Sequence, residues 1–197
     1  MKKTILAAAV AVAALSMSER RQHTQDVSYD LRMPTGFPGD VNRTHPFNVM
    51  PSLMNSSVQA PRLYGDGLLV DAATNSYRGL VAGDGAITVL DGVAVRPYPT
   101  QQTSGGMASV IGTAAPATNQ PLDVLNDGYV MVRVVGNPTK KGAVYVWIAA
   151  PSGAHLTGGF ESVAAGASTA GPIVNCFFNG PPGADGVTEM RINSLTV

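Results

Sequence analysis

Two stretches of this sequence share one layout, and that layout limits the possible folds more than any other feature. Residues 67–99 run GLLVDAATNSYRGL and then GVAVRPYP, while residues 142–182 run GAVYVWIAAPSGAHLTGG and then GPIVNCFFNGPP. Each stretch opens on a glycine, crosses a turn and closes on prolines. A β unit this short leaves its apolar face wet when alone, so the two are expected to close on each other as a small β-barrel or sandwich. The fold class expected is mainly β, built from two similar β units. Such a scaffold carries no built-in chemistry, and function must be sought in what it presents.

Turn chemistry agrees with many short strands. The chain has 22 glycines and 14 prolines without a Gly-X-Y period. Five Asp-Gly pairs, at Asp66-Gly67, Asp84-Gly85, Asp91-Gly92, Asp127-Gly128 and Asp185-Gly186, read as tight turns needing positive φ. Strict alternation in YVMVRVV at 129–135 places Val130, Val132 and Val134 on one face. In VYVWI at 144–148, Val144, Val146 and Ile148 share a face, with Tyr145 and Trp147 opposite. Residues 187–197 read as a last edge strand, and Cys176 as a small buried hydrophobe within IVNCFF.

Before residue 62 the character changes. Residues 19–61 are polar and carry Pro34, Pro38, Pro46 and Pro51, a spacing that forbids a long helix and favours an extended strap over a surface. The expected organisation is a hydrophobic segment and extended arm at 1–61 and a β domain at 62–197, divided into a first β unit (62–100), a loop (101–121) and a second β unit (122–197). Residues 1–18, MKKTILAAAVAVAALSMS, have the form of a secretory signal, too short to span a bilayer. Retained, the same run is an arm with a short helix at its start, gripping a neighbouring subunit; removed, it marks an exported module.

Charge excludes several functions. Thirteen basic and thirteen acidic residues cancel, which gives no drive for direct nucleic-acid binding through phosphates. Three scattered histidines, His23, His45 and His155, and one cysteine offer no local metal site and no nucleophile with its base. GASTA at 166–170 lacks the terminal glycine of a nucleophile elbow. Glu19, Glu161 and Glu189 are the only glutamates, and their spacing gives no support for a paired-carboxylate hydrolase. The expectation is a structural or binding module with no catalytic residue and no cofactor; an exported adhesion module is the alternative.

Several strings carry a resemblance. FPGDVNRTHPFNV at 37–49, LYGDGLLVDAATNSYRGLVAGD at 63–84, GVAVRPYPTQ at 92–101, DVLNDGYVMVRVV followed by KKGAVYVWIAAPSG, and FFNGPPGADGVTEMRIN at 177–193 resemble the structural cement proteins of tailed bacteriophages. The resemblance implies a capsid decoration protein on the virion's outer surface that clamps neighbouring major capsid protein subunits, with itself as a further partner in a trimer or dimer. It implies no direct nucleic-acid partner and, with the N-terminal segment retained, no membrane. Gly39, Asp40 and Arg43 fall in the strap motif, and Arg96, Pro97, Tyr98 and Pro99 in the strand-end motif. The contact residues it implies are Phe37, Gly39, Asp40, Arg43, His45, Phe47, Arg96 and Tyr98. The hydrophobic extension before the FPGDV string departs from the family pattern; if cleaved, it would place the protein outside the cell or in the periplasm.

Overall fold

The structure, a computed structural model, describes residues 36–54, 61–97, 116 and 120–194; the helix expected at the start of the arm, Tyr98, and the expected loop at 101–121 apart from residues 116, 120 and 121 lie outside them. Among the described residues ten strands join one mixed sheet: β1 (Asn48–Leu53), β2 (Gly67–Asp71), β3 (Ser76–Gly79), β4 (Gly92–Val95), β5 (Pro121–Val135), β6 (Tyr145–Trp147), β7 (Phe160–Glu161), β8 (Thr169–Ala170), β9 (Cys176–Phe178) and β10 (Val187–Ile192). The architecture is mainly β, as the alternation demands. The main path runs β3-β2-β4-β5-β7-β6-β8 and does not close on itself.

The fold turns on β5, whose 15 residues exceed the usual strand length about threefold. Its first half is paired on both edges, by β1 through Met50↔Val124 and by β4 through Ala94↔Val124. In its second half Val130 faces Met190 of β10 on one edge and Val41 of the strap on the other, and Val134 and Val135 pair in parallel with β7. The change of partners falls at Gly128, where φ is +152° and a Cβ would sit 2.9 Å from Leu125 Cδ1 and 3.1 Å from the Pro46 carbonyl. Only a residue without a side chain fits that crossing.

The shared layout of the two stretches has a counterpart in the pairing. In the first unit β2 lies between β3 and β4, and in the second β6 lies between β7 and β8, all antiparallel. They join β5 differently, through antiparallel β4 and through parallel β7. One core serves both: Val93 and Leu125 pack with Val130, Val132, Val146, Phe160, Phe178 and Met190. A second cluster, Met54, Leu68, Tyr77, Ala94, Leu122 and Val124, fills the opposite side of the first unit. There a single bridge from Met54 to Tyr77 brings the end of β1 against β3.

Three sequence expectations change in detail. The last strand, β10, is no edge, because it lies between β5 and β9. The proline-punctuated strap contributes a strand, β1, instead of lying over the sheet. Met54 donates its N–H to the Gln120 carbonyl, so by alternation Pro51 and Pro121 occupy positions whose missing N–H points away from the partner strand. The third concerns the Asp-Gly pairs: Gly67, Gly85 and Gly92 are not among the positive-φ residues. Their aspartates cap instead. Asp66, Asp84 and Asp91 accept backbone N–H bonds from Leu63, Val81 and Val70 at 2.6–2.8 Å; before the two glycines that do take positive φ, Asp185 accepts the Val187 N–H at 3.1 Å and Asp127 pairs with Arg191 at 2.6 Å.

Candidate binding surface: the strap and its clasp

The strap runs alongside the second half of β5 and is held there by main-chain bonds. Gly39 donates its N–H to the Met131 carbonyl at 2.8 Å, Met131 donates to the Asp40 carbonyl at 2.8 Å, and Arg96 donates its backbone N–H to the Gly39 carbonyl at 2.9 Å. Three bonds from two strap residues, Gly39 and Asp40, tie the strap to β5 and to the chain leaving β4. Asp40 Oδ2 accepts the Phe37 N–H at 3.1 Å, and the Asp40 N–H returns to the Phe37 carbonyl at 3.0 Å, so FPGD is a closed turn with its own carboxylate cap.

Two glycines permit this contact. Gly39 has φ +88° and Gly65 φ +86°; a Cβ on Gly39 would lie 2.7 Å from Tyr64 Cβ, and one on Gly65 would lie 2.8 Å from the Gly39 nitrogen. The turns PGD and YGD therefore press backbone to backbone. Arg96 closes the gap between them. Its Nε donates to the Pro38 carbonyl at 3.3 Å and lies 3.6 Å from Asp40 Oδ1, and its guanidinium carbon sits 5.6 Å from the Phe37 ring centre and 5.8 Å from that of Tyr64. Arg96 is a buried arginine packed against two rings.

A second anchor holds the strap to β10. Glu189 accepts both arms of the Arg43 guanidinium, Nε at 2.8 Å and Nη2 at 2.6 Å, and also accepts Asn42 Nδ2 at 2.6 Å and Asn179 Nδ2. Burial opposes the charge on Glu189, yet these donors outweigh it and keep the carboxyl below its ordinary value. The Arg43 guanidinium lies 4.3 Å over the Tyr129 ring and that of Arg191 lies 5.1 Å from it. Replacing Glu189 by Gln keeps the shape but removes the charge that serves Arg43. Because Arg43 is half exposed, water recovers part of the loss, and the expected cost is about 1 kcal/mol by urea denaturation.

The expected contact residues divide into two groups. Gly39 and Arg96 are buried in the clasp, where they fix the strap from within. Phe37, Arg43, His45 and Phe47 are exposed, with Asp40 partly so. The run 42–48 is exposed at every residue. Tyr64, Gly65, Tyr129 and Glu189 belong to the same assembly and were not anticipated. Their local sequence carries no signal of it, since Glu189 lies 146 residues from Arg43.

Elsewhere the polar groups hold structure together. His155 Nδ1 lies 2.8 Å from Glu161 Oε1 and its ring stacks on Trp147 at 4.3 Å. Burial pushes up both the Glu161 carboxyl and the Cys176 thiol. Among the described residues no group of three His, Cys, Asp or Glu side chains gathers to hold a metal.

A clasped strap on an open sheet, in a chain of no net charge, describes a structural module, and the comparisons agree with it. A solved structure, "The capsid of Myoviridae Phage XM1", contains a chain with the same fold: the match has a TM-score of 0.59 at 22% identity and covers 83% of this chain and 93% of that one. Among curated proteins none matches. The family model described as Structural cement protein (E217 gp24/Pam3 gp6) matches residues 25–193, and the chain belongs to that family of phage capsid structural proteins.

Proposed function

We propose that this chain binds the outer surface of a tailed-phage capsid as a cement protein, stabilises the lattice of the major capsid protein, and sits there as a trimer. The single observation that carries the reading is the strap: residues 42–48 are exposed without a break, while the clasp at Gly39–Asp40 and the Arg43–Glu189 pair hold both the start and the middle of the segment rigid. An extended segment held in its bound shape loses little entropy on docking and spreads contact over more than one subunit. Phe37, Arg43, His45 and Phe47 are the exposed strap side chains that touch the shell in this reading, with Asp40 beside them; Gly39 and Arg96 act through the clasp, and Tyr98, two residues after Arg96 in the sequence, is a further contact. Low charge suits a surface made to be covered, since little polar solvation is lost.

The test is to add the purified full chain to expanded shells that lack it and separate them by rate-zonal sedimentation. The expected result is saturable migration with the particles and a higher temperature of shell disruption. Protein that stays at the top of the gradient at every concentration would overturn the proposal.

A further inference from the structure

Strand β1 is the odd strand of this sheet. Six residues, Asn48–Leu53, show the exposure pattern exposed, half-buried, exposed, exposed, half-buried, exposed, so each face of the ribbon keeps open side chains although Val49 packs against the core and Met54 just beyond is buried. Phe47, Met50 and Leu53 are 53%, 44% and 58% exposed, three large apolar side chains within seven residues. Met50 shares the face of Met54 and Leu53 the opposite one. No Lys, Arg, Asp or Glu occurs between Arg43 and Arg62. Exposed edge strands are normally guarded by charge, and an apolar cluster left open on a soluble chain marks an interaction site.

We infer that β1 is itself a docking element, inserted by its edge into an uncharged apolar groove of the major capsid protein lattice; this rests on the capsid-binding reading above. Three observations choose that partner over a second copy of this chain. Pro51 faces its ring outward at the centre of the open edge, where a further strand would need an N–H, so the edge is blunted against continuous ladder pairing while its side chains remain open. A two-fold pairing of β1 with itself would also set Pro51 near Pro51. Three side chains fall far short of the roughly 20–30 residues a side that a stable dimer buries, whereas a lattice offers many such grooves and multiplies weak contacts. The exposure of both faces calls for a groove that wraps the ribbon, and the absence of charge calls for a neutral one.

The double variant Met50→Asp/Leu53→Asp tests this. Both side chains are exposed, so the melting temperature should stay at the wild-type value; if it falls, Met50→Ser/Leu53→Ser replaces it. Binding to expanded shells is measured at about 0.05 M and about 0.5 M NaCl, across which exposed charge pairs are strongly screened. The expected result is wild-type affinity nearly independent of salt and a loss of roughly tenfold or more in the variant. Equal binding by a folded variant would overturn the role of β1 while leaving the capsid reading intact. Wild-type protein that binds no shell would instead remove the reading on which the inference rests. A wild-type dimer or trimer in sedimentation velocity that the variant abolishes would replace the lattice by a second copy.

Discussion

Gly39→Val should lower the stability of the protein by about 3 kcal/mol, with the melting temperature falling by roughly 10 °C. Two costs add at this position. The backbone sits at φ +88°, a conformation that a β-branched residue adopts only under strain of about 1–2 kcal/mol. The new Cβ would also start 2.7 Å from Tyr64 Cβ, 3.1 Å from the Arg96 nitrogen and 3.2 Å from the Ala94 carbonyl. None of these is a flexible side-chain end, so relief requires the strap to lift. Lifting it breaks the bonds of Gly39 and Asp40 to Met131 and of Arg96 to Gly39. Gly83→Ala is the matched control, because that glycine has ordinary φ and nothing within 4 Å of the added Cβ; its effect should stay within about 0.5 kcal/mol. A Gly39→Val protein that melts within 2 °C of wild type would show that the clasp is not what holds the strap.

The clasp also marks the limit of what residue patterns disclose. Strands such as 129–135 and 144–148 are legible because alternation with one buried face is a local property, and Val130, Val132, Val134, Val144, Val146 and Ile148 all lie in the core. The strap is legible as extended, since its prolines exclude helix, but its pairing is not: whether a proline blocks a ladder depends on which way its missing N–H points. Register fixes that direction, and register is set by the partner strand. Similarly, an Asp-Gly pair announces a local break in structure without saying whether the glycine's φ or the aspartate's carboxylate is being used. At four of the five pairs the carboxylate accepts a backbone N–H. Phe37, Asp40, Arg43 and Arg96 were reached through the FPGDV and RPYP strings, and they do converge on one region. Glu189 could not have been, because an ion pair closed across 146 residues leaves no periodic trace. The strings also could not separate Arg96, which is buried, from Arg43, which is exposed.

Asp66 should make the protein more stable in mild acid than at neutral pH. The residue lies where the two β units meet: its carboxylate accepts the Leu63 N–H at 2.8 Å, its carbonyl accepts the Ala94 N–H at 3.0 Å, and the next residue, Gly67, donates to the Gly158 carbonyl at 3.2 Å. With 5% of its surface exposed, it is pushed up to about 7 by burial, which outweighs the backbone donors and the positive charges of Arg133 and Arg62. The unfolded chain releases this proton near the ordinary value of 3.8. Between those two values the folded protein holds the extra proton, so stability is full below about pH 4, declines as pH rises, and levels off once the folded group has ionised near pH 7. The span corresponds to a loss of about 4 kcal/mol at most. Glu161, also pushed up by burial, slopes the same way. Glu189 and Asp84 are held below their ordinary values; their contribution is lost only as pH falls beneath the usual carboxylate range, so it bounds the optimum on the acid side. Asp66→Asn separates these effects. The amide stays neutral at every pH and can still accept the Leu63 N–H, so the variant should match wild type near pH 4 and exceed it at pH 7.5 in urea denaturation. Parallel wild-type and variant curves would mean that Asp66 is already ionised in the folded protein at low pH, with Arg133 and Arg62 compensating its burial.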